Sequence, residues 1–269
     1  MKSYWINTDD TPVHVQDEGP THRAYLWVYI GDADHPYTSY DFTWGRSREG
    51  PQAALSAYEG FLQADAFAGY DQLYTSGKVT EVGCWAHARR YFFDAKSTAP
   101  VPANEALLRI GSLYTMERQA KERKLASDAL CALRQEKAAP QLTALATWLR
   151  ERQATVLPKS PVGQAFGYAL GNGTALTRYA ADGRLAIDSS AAERALRAVV
   201  IGRKNWLFAG SRRGGHAAAP LYSLIASAKQ NALDPFAYLR DLLARIPTHP
   251  HRQLHALLPD RWKAQFATP

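Results

Sequence analysis

The chain has 269 residues, 46% of them hydrophobic, with a formal net charge of +7, which excludes wholesale disorder and points to a polyanionic partner, nucleic acid first. Two cysteines, Cys84 and Cys131, exclude a disulfide framework and fit reduced thiols in the cytosol. Met1-Lys2-Ser3-Tyr4-Trp5 lacks the apolar run of a signal peptide, and no window is apolar for long enough to span a membrane.

Tyr4 to Val15 is rich in β-formers around the polar Asn7-Thr8-Asp9-Asp10-Thr11, and Pro12 is expected to make the strand irregular or end it. Ala24 to Ile30 reads as a buried strand, Gly31-Asp32-Ala33-Asp34 as a turn, and Thr38 to Trp44 as the returning strand. Pro51 to Phe61 follows helical spacing through Ala54, Leu55, Tyr58 and Phe61. Leu62 to Phe67 suits a buried central strand, Asp71 to Thr75 a short helix, Val79 to Cys84 a strand, and Trp85 to Ala95 a helix. The order β-β-β-α-β-α-β-α is that of a mixed sheet flanked by helices.

Thr98 to Pro102 reads as a linker. Asn104 to about Arg152 is helical throughout, with one apolar stripe through Leu107, Leu108, Ile110, Leu113 and Tyr114 and another through Leu142, Leu145, Ala146 and Leu149. A further helix follows near Gly163 to Leu170, a turn at Gly171-Asn172-Gly173, and a helix from Ala191 to about Val200. Pro247, Pro250 and Pro259 break the C-terminal segment into short pieces. The expected divisions are 1–97, the first part of an α/β domain; 98–170, an all-helical insertion; 171–247, the rest of that domain; and 248–269, a tail.

Three acids stand out by location. Asp9 sits in the first strand, Asp65 in a short apolar one where a carboxylate is costly unless paired or metal-bound, and Glu193 in the first turn of a helix. Acids so placed can converge on hard divalent cations, and two such ions about 4 Å apart activate an attacking oxygen and stabilise a leaving one. Each acid also has a plain role: a turn for Asp9, a cap near Gly69 for Asp65, and for Glu193 the capping box Ser190-Ala191-Ala192-Glu193, which is favoured on pattern alone. Cys84-Trp85-Ala86-His87 is half a zinc site without its other half, leaving either a buried cysteine with a hydrogen-bonded histidine or groups that steady carboxylates. Arg89 and Arg90 follow directly. Gly202 to Gly215 combines Arg203, Lys204, Arg212 and Arg213 with glycines and aromatics, as a DNA contact would; Phe208 reads as core and Trp206 as either core or base-stacking. Arg194 and Arg197 add positive charge on the helix of Glu193, where Arg197 can also simply pair with it.

The chain resembles the catalytic region of insertion sequence 66 family transposases. The resemblance runs from about Thr8 to Trp262, through Asp9-Asp10-Thr11, Leu62 to Tyr70, Gly83 to Arg90, Leu157-Pro158-Lys159-Ser160, Ala192 to Arg197, Gly202 to Gly210 and Leu257-Leu258-Pro259. It implies a ribonuclease H-like α/β fold with an all-helical insertion before the last catalytic helix. It also implies a DDE triad of Asp9, Asp65 and Glu193, with Glu193 free to serve as cap as well, and Cys84 and His87 behind the acids. The implied cofactor is Mg²⁺, with Mn²⁺ substituting. The implied partners are DNA, as element ends and target, further copies of the chain and accessory transposition proteins, in the bacterial cytoplasm.

Two motifs depart from the family. Asp10 stands where glutamate is usual, leaving Asp9 and Asp10 both available as first acid, and Ser189-Ser190 replaces two asparagines. The chain also begins almost at the first catalytic strand, so recognition of element ends would be missing or supplied by another polypeptide. The competing expectations are an inactive remnant that binds DNA or full-length transposase, and a ribonuclease H-type nuclease, which shares the fold but not the motifs.

Overall fold

The computed structural model describes residues 2–17 and 19–266; Met1 and the end of the expected tail, 267–269, lie outside them. The elements begin with β1 (Trp5–Val15), β2 (His22–Ile30), β3 (Thr38–Thr43), α1 (Glu49–Ala54), β4 (Gly60–Gln63), α2 (Asp71–Thr75), β5 (Val79–Val82) and α3 (Trp85–Asp94), in the order the sequence predicts. The strands form a five-stranded mixed sheet in the order β3-β2-β1-β4-β5, with β1, β2 and β3 antiparallel. Then come α4 (Pro100–Glu122), α5 (Ser127–Leu133), α6 (Ala139–Gln153), α7 (Pro161–Gly171), α8 (Gly173–Thr177), α9 (Ser190–Trp206), α10 (Arg212–Gln230), α11 (Pro235–Arg245) and α12 (Pro259–Phe266). Among the described residues no helix is long and apolar enough to cross a membrane.

The chain divides into two compact units. One comprises Met1–Leu62, Ala68–Thr80 and Ala191–Pro269, the other Gln63–Phe67 and Glu81–Ser190.

In the first unit, alternation along β1 puts Asp9, Thr11, Val13 and Val15 on one face. Val13 and Val15 join Ala24, Leu26, Val28, Tyr40 and Phe42 in a core closed by Ala192, Leu196 and Val199 of α9 and Ala219 of α10. A Cβ at Gly215 would stand 2.4 Å from the Phe42 ring, so only glycine lets α10 lie this close to β3. Ser223 and Ser227, one turn apart on α10, accept hydrogen bonds from the amides of Tyr40 (2.7 Å) and Thr38 (3.1 Å). The outer edge of β3 therefore donates to a helix and offers no template to another strand. Farther along, Tyr238, Leu242 and Leu257 form a second small core with Ala228.

Pro12 does not break β1, which runs unbroken to Val15. In an antiparallel strand the amide and carbonyl of one residue point to the same side. The Pro12 carbonyl accepts from Arg203 rather than from β2, so the missing amide costs no ladder bond.

The second unit is helical. Phe166 packs between Phe92 (5.9 Å) and Trp148 (5.5 Å), and the Trp85 indole donates to the Leu176 carbonyl at 2.8 Å. Buried Arg134 opens a π-helical turn between α5 and α6. It forks onto Glu117 at 2.8 and 2.7 Å and gives its remaining donors to the carbonyls of Tyr179, Asp182 and Leu185.

Several expected boundaries move. The helix from Pro51 ends at Ala54, and Phe61 lies in β4, because Gly60, at φ 144°, hands the chain back to the sheet with its amide on the Lys78 carbonyl. Leu62–Phe67 is strand only as far as Gln63. Ala64 still bonds the carbonyl of Val82, the last residue of β5, and Asp65 lies beyond both strand ends. The expected linker at Thr98–Pro102 is helix from Pro100, whose missing amide is harmless in a first turn. The long helical stretch breaks after Glu122, where Lys124 adopts a positive φ, and Leu108 of its first stripe is exposed while Ile110 and Leu113 are buried. The turn at 171–173 is reduced to Asn172, between α7 and α8. α9 continues past Val200 to Trp206.

Candidate active site

In the first unit, Asp9 and Glu193 meet. Asp9 points to the face of β1 that α9 covers. Ala192, Leu196 and Val199 hold α9 on that face, and Glu193 stands beside Ala192 in the first turn. Carboxylate oxygens of the two acids lie within 4.8 Å of each other. The Asp10 amide donates to Asp9 Oδ1 at 2.8 Å and helps fix its rotamer. Two carboxylates this close repel each other and gain from a cation held between them. Oxygen donors at this spacing fit one hard divalent ion or a pair about 4 Å apart.

Asp10 points the other way. Its carboxylate receives Nε of Arg46 at 2.8 and 3.0 Å and Nη2 at 2.8 Å, a fork–fork ion pair. Nothing in the sequence announced Arg46 as the partner, because the contact is made only when β3 and the turn after it fold back.

The Gly202–Gly215 segment is the end of α9, a reversal and the start of α10. Leu207 takes the left-handed conformation (φ 61°) that glycine usually supplies at a helix end. Ala209 then pairs with β1, donating to the His14 carbonyl and accepting from the Gln16 amide, each at 2.8 Å. Arg203 donates to the Thr11 hydroxyl at 3.2 Å as well as to Pro12, so it ties α9 to β1. Lys204, Arg212 and Arg213 are exposed, as are Arg194 and Arg197 along α9. The Arg212 guanidinium lies 5.3 Å from the centre of the Trp44 ring, beside the Ser211 hydroxyl that caps α10. Trp206 closes α9 with 37% of its surface exposed, and Phe208, expected as core, is 43% exposed because the reversal carries it outside the sheet.

In the second unit, Asp65 lies two residues past β4, half-buried. Gln63 just before it is fully buried, its amide donating to the carbonyls of Gly83 (3.1 Å) and Ala186 (2.7 Å). The Tyr168 phenol lies next to the Ala66 amide, and its acidity is suppressed by burial first, then by Cys84 and Asp65. Cys84 precedes α3 and is buried. Its sulfur accepts from the amide (3.3 Å) and hydroxyl (3.2 Å) of Ser189, so it steadies the approach to α9. His87 is half-buried on α3, while Arg89 and Arg90 on the same helix are exposed.

The expected cap is supplied differently. α9 starts at Ser190 itself, and the Asp188 carboxylate accepts the Ser190 amide at 3.0 Å. Its other oxygen accepts the Tyr114 hydroxyl at 2.7 Å. An acid two residues ahead of a helix is a sequence signal for this cap, overshadowed here by the neighbouring serines.

The model of the transposase IS66 family matches residues 1–217, and that of the IS66 C-terminal element matches 223–259. Similar curated proteins include the uncharacterized proteins y4hP and y4qI of Sinorhizobium fredii (strain NBRC 101917 / NGR234), each 34% identical, over 97% and 96% of this chain and 51% of each relative. A third from the same strain, uncharacterized protein y4jD, is also 34% identical, over 96% of this chain and 54% of its own length. The chain thus spans about half the length of the curated relatives it matches. It belongs to the IS66 family of transposases.

Proposed function

We propose that this chain is the catalytic core of a DDE transposase of ribonuclease H-like fold, which cuts and rejoins phosphodiester bonds at the ends of a mobile element. The observation that carries the reading is the approach of Asp9 and Glu193 within 4.8 Å, from a central strand and a helix far apart in sequence. The order β-β-β-α-β-α-β-α and the family membership support it.

In this reading Asp9, Asp65 and Glu193 hold Mg²⁺, with Mn²⁺ able to substitute. A metal held there would supply Lewis-acid activation of water or a 3′-hydroxyl and charge neutralisation of the leaving oxygen. Asp9 serves as first acid, since Asp10 is engaged by Arg46 on the opposite face. Cys84 and His87 support the acids, Cys84 through Ser189. Arg89, Arg90, Arg194, Arg197, Lys204, Arg212 and Arg213 take phosphates, with Trp206 open to a base. Arg203 acts in the same segment chiefly as a tether to β1. The helices of 98–170 are the insertion, and the partners are element ends, target DNA, further copies of the chain and accessory transposition proteins in a bacterial cytoplasm.

The test is nicking and strand transfer on a duplex carrying the element's terminal repeats, with Mg²⁺ or Mn²⁺, for the chain beside its Asp65→Asn and Glu193→Gln variants. Metal-dependent cutting that disappears in both variants is expected. Tight DNA binding without cutting in any form would assign the chain a regulatory role instead.

A further inference from the structure

The second unit contains a cleft of about 370 Å³ beside α3 and α7 that none of the roles above uses. We propose that it receives an unpaired nucleobase of the DNA strand being processed. The proposal rests on the reading of this chain as a transposase that handles DNA.

Its wall is aromatic. Tyr91 of α3 and Tyr168 of α7 stack with centroids 4.6 Å apart and planes at 27°. Tyr91 keeps 40% of its surface exposed. A flat π-system adds to such a pair by continuing the stack, and nucleobases do so with little regard to sequence.

The edge is polar but uncharged. Gln153 and Gln164 line the cleft, and none of its lining residues is acidic or basic. Gln164 spends an amide N–H on the Lys159 carbonyl at 3.1 Å, and its amide oxygen can accept. Side-chain amides with a donor and an acceptor match the rim of a base. They match neither a bare phosphate nor a cation.

The cleft is also kept open at a cost to the helix. Gly167 lines it from the interior of α7, where glycine weakens a helix relative to alanine. A Cβ there would meet no heavy atom within 4 Å, so packing does not require the glycine. Gly163, one turn earlier, differs. Its Cβ would fall 2.1 Å from the Leu157 carbonyl, which makes it a packing glycine.

Position links the cleft to the proposed chemistry. Tyr168 lies next to the Ala66 amide and within electrostatic range of Asp65. A base seated on the tyrosines would be drawn out of its stack beside the loop that carries this acid, as enzymes that work on distorted duplexes require. Pro158, from the Leu157–Ser160 motif that had no assigned role, lines the same cleft.

The test uses two duplexes of one sequence, fully paired or carrying a single unpaired 2-aminopurine, in EDTA so that nothing is cut. The wild-type chain is expected to bind the bulged duplex about tenfold more tightly than the paired one and to quench its fluorescence, as stacking on an aromatic does. Gly167→Leu fills the cleft and Tyr91→Leu removes its platform. Both are expected to bind the two duplexes equally, with paired-duplex affinity unchanged and the Gly167→Leu melting temperature at or above wild type. Wild-type binding without preference or quenching overturns the pocket and leaves the transposase reading standing. Variants that keep the preference overturn it too. If neither duplex binds, the DNA reading falls with it.

Discussion

Asp9, on the helix-covered face of β1, and Glu193, in the first turn of α9, bring carboxylate oxygens within 4.8 Å of each other. The geometry follows from two periodicities, alternation along β1 and the Ala192–Leu196–Val199 stripe that seats α9. Without a cation the two charges oppose each other. Glu193→Gln is therefore expected to raise the metal-free melting temperature, by roughly 2–4 °C if the relief is near 1 kcal/mol, and to abolish stabilisation by Mg²⁺. Thermal denaturation with and without Mg²⁺ checks this. An unchanged Mg²⁺ response in the variant would count against the pair as ligands.

The Arg134–Glu117 pair makes a separate prediction about the helical unit. Arg134→Met strands a largely buried carboxylate and frees three carbonyls from their donor. Removing one member of a buried pair costs about 3–5 kcal/mol. Chemical denaturation of Arg134→Met should show a loss of that order, and Arg134→Lys should recover only part of it, since lysine cannot fork. A loss below about 1 kcal/mol would mean that water replaces the guanidinium.

The serine pair on α10 protects a strand edge. Replacing Ser223 and Ser227 with alanine leaves the amides of Tyr40 and Thr38 without their partners. Each is expected to cost about 1–3 kcal/mol, with faster hydrogen exchange at those two amides and a greater tendency to associate through β3. Exchange rates unchanged at Thr38 and Tyr40 would show that the serines are not the edge's protection.

Asp32 predicts an acid dependence. Burial alone would raise its carboxyl, but bonds from the His35 ring and the amides of Tyr4 and His35, with the imidazole charge, hold it below its ordinary value. A carboxylate depressed in the folded state stabilises at pH above its unfolded value, and that stability is lost as pH falls through the folded one. The difference in urea midpoint between wild type and Asp32→Asn should be largest near neutrality and shrink as pH falls below the ordinary carboxylate value of about 4. A difference that stays constant as pH falls would contradict the assignment.

The order of the first eight elements was legible because each carries its own period or turn signal, and the helical stripes marked Ile110, Leu113, Leu142, Leu145 and Leu149 among the buried positions but not Ala103, Ala106, Met116, Ala120 or Trp148. What was not legible depended on partners. Leu62–Phe67 reads as strand throughout, yet β4 ends at Gln63, close to where its partner β5 ends at Val82. Phe208 reads as core, and only the reversal at Leu207 turns it outward. Asp9 and Asp10 are adjacent and equally acidic; their opposite faces separate them only once α9 and Arg46 are in place. Gly167 resembles any helix glycine until the space beside it is seen to be open.

The most direct test is Mn²⁺ binding, followed by electron paramagnetic resonance, to wild type and to Asp9→Asn, Asp10→Asn and Glu193→Gln. The account predicts that Asp9→Asn and Glu193→Gln each weaken Mn²⁺ by about tenfold or more while Asp10→Asn leaves it within about threefold, a ligand oxygen being worth more than a distant charge. Mn²⁺ held as tightly by Asp9→Asn and Glu193→Gln as by wild type, or lost only in Asp10→Asn, would contradict it.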